Sequence, residues 1–256
     1  MHPYLDGPHP RAFAHRGWHI GDLAGMENSR AAFRRAVDEG YTYLETDVHA
    51  TADGVVVVHH DETLDRTTDS AGTLAGQPWS VVRRAQVAGN EPLCRLDELL
   101  EDLPAAKINV DVKADSAAGP VLELLRRMNA WDRVCVASFS ERRLNWLRRH
   151  GGERLLTGIG YRSAVALRMR AWAPRLRERS PLRGSLAQLP RRRGRIRVVD
   201  AGLVRYAHRC GIEVHVWTID SPAEMAELLD LGVDGLVTDR PDLLREVLRR
   251  RGAWPG

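Results

Sequence analysis

The feature that most constrains this chain is a regular alternation between two hydrophobic periods. Short runs rich in valine, leucine and isoleucine begin near residues 11, 43, 107, 134, 155, 184, 212 and 235, and apolar residues spaced three and four apart follow most of them. The first pattern suits a strand buried on both faces, the second a helix that covers it. Glycines mark the changeover: Gly40, Gly151-Gly152, Gly211 and Gly232 each stop a helical stretch. Eight strand–helix units in ~250 residues is the count of a closed α/β barrel. The expected fold is therefore a single (β/α)8 TIM barrel over residues 1–256. An open doubly wound sheet shares the alternation, but no glycine-rich phosphate loop opens the first helix.

Residues 50–95 interrupt the pattern. About seven residues separate Asp47 from Val55, fewer than the ~12 that a parallel crossover needs. The valine run at 55–59 is thus expected to fold back antiparallel or bend away, with Asp53-Gly54 as the turn. Residues 62–95 then read as a long excursion with turn signals at Ala71-Gly72, Gln77-Pro78 and Gly89-Asn90. An excursion of that length inside a compact domain is usually functional, and a lid over a site is the expectation.

Composition narrows the setting. The N-terminal MHPYLDGPHPRAF lacks a basic start followed by an apolar run and a cleavage site, and no window has the ~18 apolar residues of a membrane helix. Cys94, Cys135 and Cys210 are scattered, without metal-ligand spacing. A cytoplasmic location with free thiols and no stable membrane insertion is expected. The formal charge of +4 is concentrated in two clusters, Arg191-Arg192-Arg193 with Arg195 and Arg197, and Arg245 with Arg249-Arg250-Arg251. No aromatic interleaving or recognition motif accompanies them, so a solvated loop and a dipole-matched helix end are expected, not a nucleic-acid partner.

In a barrel of this kind the chemistry sits at the carboxyl ends of the strands. Polar residues collect there. His15 and Arg16 end the first strand, Glu45 and Asp47 lie two apart on the second, and Asp111 and Lys113 repeat that spacing at the end of KINVDV. Residues i and i+2 of a strand share a face, so each pair looks one way. Glu45, Asp47 and Asp111 make an all-oxygen donor set suited to a divalent metal, Mg2+ or Ca2+. Arg16 and Lys113 are cations fit to hold an anionic group. His15 and His60 suit a base and an acid, whereas His59 alternates with His60 and faces away. Metal, cations and histidines together point to phosphoester cleavage. The competing reading makes Glu45–Arg16 and Asp111–Lys113 structural ion pairs and Trp217 a core residue.

Several segments resemble the glycerophosphodiester phosphodiesterase family in type and order: AHRGW (14–18), ENS (27–29), YLETDVHATADGVVVVHHDETLDRTT (43–68), INVDVK (108–113), SF (138–139), VHVWTID (214–220) and GVDGLVTDRPDLL (232–244). The resemblance spans nearly the whole chain. It implies a TIM barrel of the phosphodiesterase type, with an insertion after the second strand, that hydrolyses a small-molecule glycerophosphodiester to glycerol 3-phosphate and an alcohol with a divalent metal. By that likeness His15 and His60 are the catalytic histidines, Arg16 binds the phosphate, and Glu45 and Asp47 are metal ligands. Lys113 lies near the phosphate, Trp217 lines the glycerol end, and Glu27 helps build the site. The likeness also favours attack by the substrate's own glycerol hydroxyl. Two departures stand out: Asp111 where the family usually has Glu, and Met26 where it usually has Pro. A lysophospholipase D acting on lysophospholipids is the alternative activity, with Leu74, Pro78, Trp79 and Val81 as expected lining of an apolar groove. A non-catalytic phosphoester-binding barrel is the alternative of another class.

Overall fold

The computed structural model describes residues 2–173 and 182–254. The first half runs β1 (Arg11–His15), α1 (Arg30–Asp38), β2 (Tyr43–Ala50), β3 (Val56–Val58), α2 (Trp79–Val82), β4 (Gln86–Val87), β5 (Glu91–Pro92), α3 (Leu96–Asp102), β6 (Lys107–Val112) and α4 (Asp115–Arg127). Then follow β7 (Val134–Ala137), α5 (Glu141–Gly151), β8 (Leu156–Thr157) and α6 (Tyr161–Trp172). The last part is β9 (Leu186–Pro190), β10 (Arg192–Arg193), β11 (Ile196–Arg197), α7 (Ala201–Arg209), β12 (Glu213–Trp217), α8 (Pro222–Asp230), β13 (Gly235–Thr238) and α9 (Pro241–Arg250).

Strands β8, β7, β6, β2, β1, β13, β12 and β9 are hydrogen-bonded neighbours in that order, and every pairing along the path is parallel. The ring meets itself between β8 and β9 through a parallel bridge of Gly158 to Leu186. There the Ile159 N–H donates to Leu186 O at 2.8 Å and the Ser185 N–H to Thr157 O at 3.0 Å. This is the eight-stranded α/β barrel that the alternation predicts, with helices between its strands.

Register decides what faces the inside, because side chains alternate along a strand. Phe13, Tyr43, Cys135, Leu156, Leu186 and Val237 gather with Tyr4 into one buried apolar layer. Two residues further along the same strands come His15, Glu45, Ala137, Gly158, Gln188 and Asp239. One parity thus supplies an apolar floor and, directly above it, a largely polar layer at the carboxyl ends. The opposite parity, including Ala14, Leu44, Val48, Ile108, Val110 and Val136, packs against Leu99, Val121, Leu125 and Leu144 of the surrounding helices. Each fully buried aliphatic side chain of that shell stabilises by roughly 1.5–3 kcal/mol. The shell holds the strand ends still enough to position polar groups.

The insertion follows the predicted reversal. β3 pairs antiparallel with β2 through Val48–Val58, His49–Val57 and Ala50–Val56. Asp53 closes the turn by accepting from the Thr51 hydroxyl at 2.6 Å and from the Trp79 N–H at 2.9 Å. The excursion itself is not structureless: Leu64, Leu74, Val82, Ala85, Val87 and Leu93 close with Val57 into an apolar cluster of their own. The arginine segment differs from the loop expected. Arg192–Arg197 and Arg193–Ile196 pair as a short hairpin, made possible by Gly194 at φ 58 in its two-residue turn. Among the described residues no helix is long and apolar enough to cross a membrane.

Candidate active site

His15 ends β1, and the chain then reverses sharply. Arg16 takes φ 55 and Gly17 φ 87, the left-handed region that costs a side chain of Arg's size free energy. A Cβ on Gly17 would lie 2.8 Å from the Ala32 carbonyl carbon, so α1 leaves room for glycine alone. Three backbone bonds impose the turn: Arg16 N–H to Glu45 O at 2.9 Å, Asn28 N–H to Arg16 O at 2.9 Å and Trp18 N–H to Ala32 O at 2.8 Å. Ser29 caps α1 by accepting from the Ala32 N–H at 3.1 Å. The result turns both the His15 ring and the Arg16 guanidinium toward the barrel mouth.

The His15 Nδ1 lies 2.6 Å from Asp239 Oδ1, and its Nε2 lies 3.6 Å from Glu45 Oε2. Asp239, just past β13, also meets His19 Nε2 at 3.2 Å. Burial works against a charged His15 ring, but the Asp239 hydrogen bond and the Glu45 carboxylate outweigh it and hold the pKa above the ordinary histidine value. Burial opposes ionisation of Asp239 too, yet its two histidine partners hold that carboxyl well below the usual range.

His60 arrives on the loop after β3. Its Nδ1 lies 2.6 Å from Asp61 Oδ1, and His49 Nε2 holds the His60 carbonyl at 3.1 Å. Arg66 donates to Asp61 Oδ2 at 2.6 Å and to both Glu27 oxygens at 2.7 and 3.0 Å; Arg16 donates to Glu27 at 2.9 Å. His60, Asp61, Arg66, Glu27 and Arg16 thus form one continuous chain of partners linking the insertion to the barrel. Glu27 is half-buried. Burial alone would raise its pKa, but Arg66 and Arg16 lower it to about 2. His59 faces away as its alternation predicts: it is buried, with Nε2 2.9 Å from Thr63 O.

The carboxylates occupy two neighbouring strands in register, Glu45 beside Asn109 and Asp47 beside Asp111. The Lys113 ammonium lies 2.7 Å from Asp47 Oδ1 and 2.8 Å from Asp111 Oδ2. Arg16 Nε is 3.1 Å from Asp47 Oδ2, ion-pair range without a hydrogen-bonded alignment. Burial and the neighbouring Asp47 push the Glu45 pKa up to about 8. Burial also raises Asp111 against the opposing charge of Lys113, while the two aspartates outweigh the desolvation of Lys113 and hold that ammonium firmly protonated.

A divalent cation can be tested against this donor set. Among the described residues no three His, Cys, Asp or Glu side chains converge closely enough to hold an ion as they stand, because Lys113 lies between Asp47 and Asp111. Yet Glu45 Oε2 and Asp111 Oδ1 are buried acceptors without a hydrogen-bond partner, as is Asn109 Oδ1. Orphaned buried oxygens are costly, and a hard cation is the ligand that would satisfy several at once. In donor chemistry, though not in its present arrangement around Lys113, the set suits such an ion.

His15, Arg16, Glu45, Asp47, His60, Asp111, Lys113 and Trp217 all line one cavity of about 340 Å³. Glu27 stands behind Arg16 and does not itself line the cavity. Trp217 is half-buried and meets Phe139 edge to face at 5.7 Å. Leu74, Pro78, Trp79 and Val81 do not line the cavity; Leu74 is fully buried in the insertion's own cluster. The apolar wall comes instead from Ile159, Ala164, Val165, Leu189 and Val198. Sequence reasoning missed Asp239, Asp61, Arg66 and the role of Asn28. The Asn28 amide faces Asp47 at 3.5 Å and its Oδ1 accepts from Thr46 at 2.8 Å.

The profile of the glycerophosphoryl diester phosphodiesterase family matches residues 15–243. The chain is 40% identical over 251 residues to the probable glycerophosphodiester phosphodiesterase 2 of Mycobacterium tuberculosis H37Rv, covering 96% of this chain and 93% of that protein. It resembles the crystal structure of a glycerophosphodiester phosphodiesterase from Agrobacterium tumefaciens C58 with a TM-score of 0.75 at 26% identity, covering 93% of this chain and 99% of that one. A phosphodiesterase from Oleispira antarctica, solved in complex with the product sn-glycerol-3-phosphate, shares the fold with a TM-score of 0.75 at 20% identity, over 94% and 97% of the two chains.

Proposed function

The chain belongs to the glycerophosphoryl diester phosphodiesterase family, and from that premise we propose that it hydrolyses glycerophosphodiesters such as glycerophosphocholine or glycerophosphoethanolamine to sn-glycerol 3-phosphate and an alcohol. The observation that carries this reading is the convergence on one cavity of two histidines, each with a carboxylate on Nδ1, with Arg16, Lys113 and the carboxylates of β2 and β6. In the proposed reaction the phosphate enters between Arg16 and Lys113, whose charges neutralise its oxygens. His60 takes the proton of the attacking hydroxyl, that of water or of the substrate's own glycerol. The oxygen forms its bond to phosphorus as the bond to the alcohol breaks. His15, whose pKa the Asp239 hydrogen bond helps to hold above the ordinary histidine value, gives its Nε2 proton to the departing oxygen. Where the glycerol hydroxyl attacks, water then opens the cyclic phosphate, giving its proton to one histidine while the other protonates the released ring oxygen, and glycerol 3-phosphate results.

Glu45, Asp47 and Asp111 are the residues we assign to a divalent metal, Mg2+ or Ca2+. When bound, the ion supplies further charge neutralisation and a fixed orientation for the phosphate. Trp217 and Phe139 would shield the glycerol end from water. We read residues 1–256 as one catalytic unit whose 50–95 segment covers the site.

The test is direct. His15→Ala and His60→Ala should each lower turnover of glycerophosphocholine by about 10²–10⁴. Full activity in either variant would falsify the assignment. A second reading, hydrolysis of lysophospholipids, is favoured by the apolar wall of α6, β9 and Val198 beside the site. Comparing rates on glycerophosphocholine and lysophosphatidylcholine separates the two.

A further inference from the structure

Six of the seven large hydrophobic side chains exposed among the described residues are Phe139, Tyr161, Val165, Met169, Trp172 and Ile196. The first four line the cavity, Trp172 ends the helix that carries three of them, and Ile196 pairs with Arg193, which also lines it. Scattered exposed apolar residues need no explanation, but a gathered set does. Four belong to α6. Tyr161, Val165, Met169 and Trp172 are spaced i, i+4, i+8 and i+11, one stripe along the helix. Leu167, on the other side of that helix, is fully buried in the barrel's shell. α6 therefore carries two apolar faces: one packs into the shell, and the other stays largely exposed, touched by arginines of its own helix and of the hairpin.

The neighbouring surface is basic. α6 carries Arg162, Arg168 and Arg170, the segment 191–197 carries five arginines, and neither contains an acidic residue. Arg168 is paired with Asp200 at 2.8 Å, and Arg191 with Glu224 and Glu227 at 2.5 Å each. Arg192, Arg193, Arg195 and Arg197 are exposed and have no ion pair among the described residues. Arg193 sits 5.1 Å above the Tyr161 ring and donates to its hydroxyl, which ties the hairpin to the helix. At the hairpin Ile196 is 64% exposed, and Trp172 at the end of α6 is 78% exposed with Arg168 over its ring. The two elements make one continuous apron of aromatic, aliphatic and cationic groups.

We propose that this apron docks the enzyme on an anionic phospholipid bilayer, with the cavity mouth facing the headgroups. Charge complementarity selects that partner: the exposed arginines of 192–197, without an ion pair among the described residues, meet lipid phosphates, while the Tyr161, Trp172 and Ile196 side chains enter the boundary between headgroup and acyl chain. Nucleic acid would satisfy the arginines but leave the apolar stripe in water. The contact is reversible surface binding, since a single short stripe provides limited apolar area.

Cosedimentation of the full chain with vesicles tests this. The protein should pellet with vesicles of equal parts phosphatidylglycerol and phosphatidylcholine, stay in solution with phosphatidylcholine alone, and be released by salt. Joint replacement Arg192→Gln, Arg195→Gln and Arg197→Gln should weaken binding by about a hundredfold, and Trp172→Glu with Ile196→Glu by about tenfold or more. Both variants should keep the parent's melting temperature and its rate on soluble glycerophosphocholine, so failure of docking and failure of the catalytic reading are separate results. Absence of binding to anionic vesicles at low salt, parental binding in both variants, equal binding to neutral vesicles, or retention by duplex DNA without vesicle binding would each overturn the proposal.

Discussion

His15 owes its orientation to a carboxylate 224 positions away in sequence. Asp239 holds Nδ1 and leaves Nε2 facing the cavity, so a single hydrogen bond fixes both the tautomer and the direction of proton transfer. Asp239→Asn should lower turnover by about 10–10² with little change in KM. It should also return the pKa of His15, now raised, toward its ordinary value of 6.5, which a histidine NMR titration would read. The sign for stability follows from the same shift. A histidine whose folded pKa is raised stabilises fully below 6.5 and loses that contribution as pH rises through the folded value. The variant should therefore be less stable than the parent at acid pH and equal to it at alkaline pH; an equal loss at both ends would argue against the pair. The sequence made His15, Glu45, Asp47 and Asp111 legible because each lies on a regular strand, where parity decides the facing. Asp239 has the same parity, two beyond the inward Val237. What hid it is that its partner depends on ring closure, which sets β13 beside β1.

The insertion is the element that completes the site. β3 returns the chain along β2, and the loop after it presents His60. Its hold on the barrel is the run from Asp61 through Arg66 to Glu27, with Arg66 about half exposed. Exposed pairs of this kind are worth ~0–1 kcal/mol each, so Arg66→Ala should leave global stability nearly intact. It should loosen His60 instead, lowering kcat about tenfold or more and hastening protease nicking within 62–95. Unchanged kcat and nicking would mean that Arg66 only decorates the surface. Glu27 gives the contact a pH limit: with its pKa lowered to about 2, its contribution is present above 4.5 and fades as pH falls toward 2. The reversal at Asp53-Gly54 was legible because seven or so residues are too few for a crossover. The interior of the excursion was not, since neither a period of two nor of 3.6 runs through it. Its apolar residues had no readable facing, and Leu74 turned into the segment's own cluster.

At the scale of the whole molecule, the floor and rim of the barrel obey opposite rules. The apolar layer of Phe13, Tyr43, Leu186 and Val237 gains by exclusion of water, while the rim above it buries Glu45, Asp47 and Asp111 and pairs the two aspartates with Arg16 and Lys113. Without a further positive charge the rim penalises ionisation, and burial beside Asp47 pushes the Glu45 pKa up to about 8. A carboxyl whose folded pKa is raised stabilises below 4.5 and loses that contribution as pH climbs through about 8. Protein stripped with a chelator should accordingly melt at progressively lower temperature across that interval. It should also be inactive on glycerophosphocholine. A divalent cation that binds the ionised carboxylates reverses the trend, because its affinity grows as Glu45 gives up its proton. At a concentration one hundred times its Kd it would add about 2.7 kcal/mol, a shift of several degrees read by differential scanning calorimetry. The gain from Mg2+ or Ca2+ should be larger at alkaline than at acid pH and should shrink in Glu45→Gln, which keeps the shape and removes the charge. A melting temperature indifferent to both ions at alkaline pH would remove Glu45, Asp47 and Asp111 from the metal assignment, and leave Lys113 as the native occupant between the two aspartates.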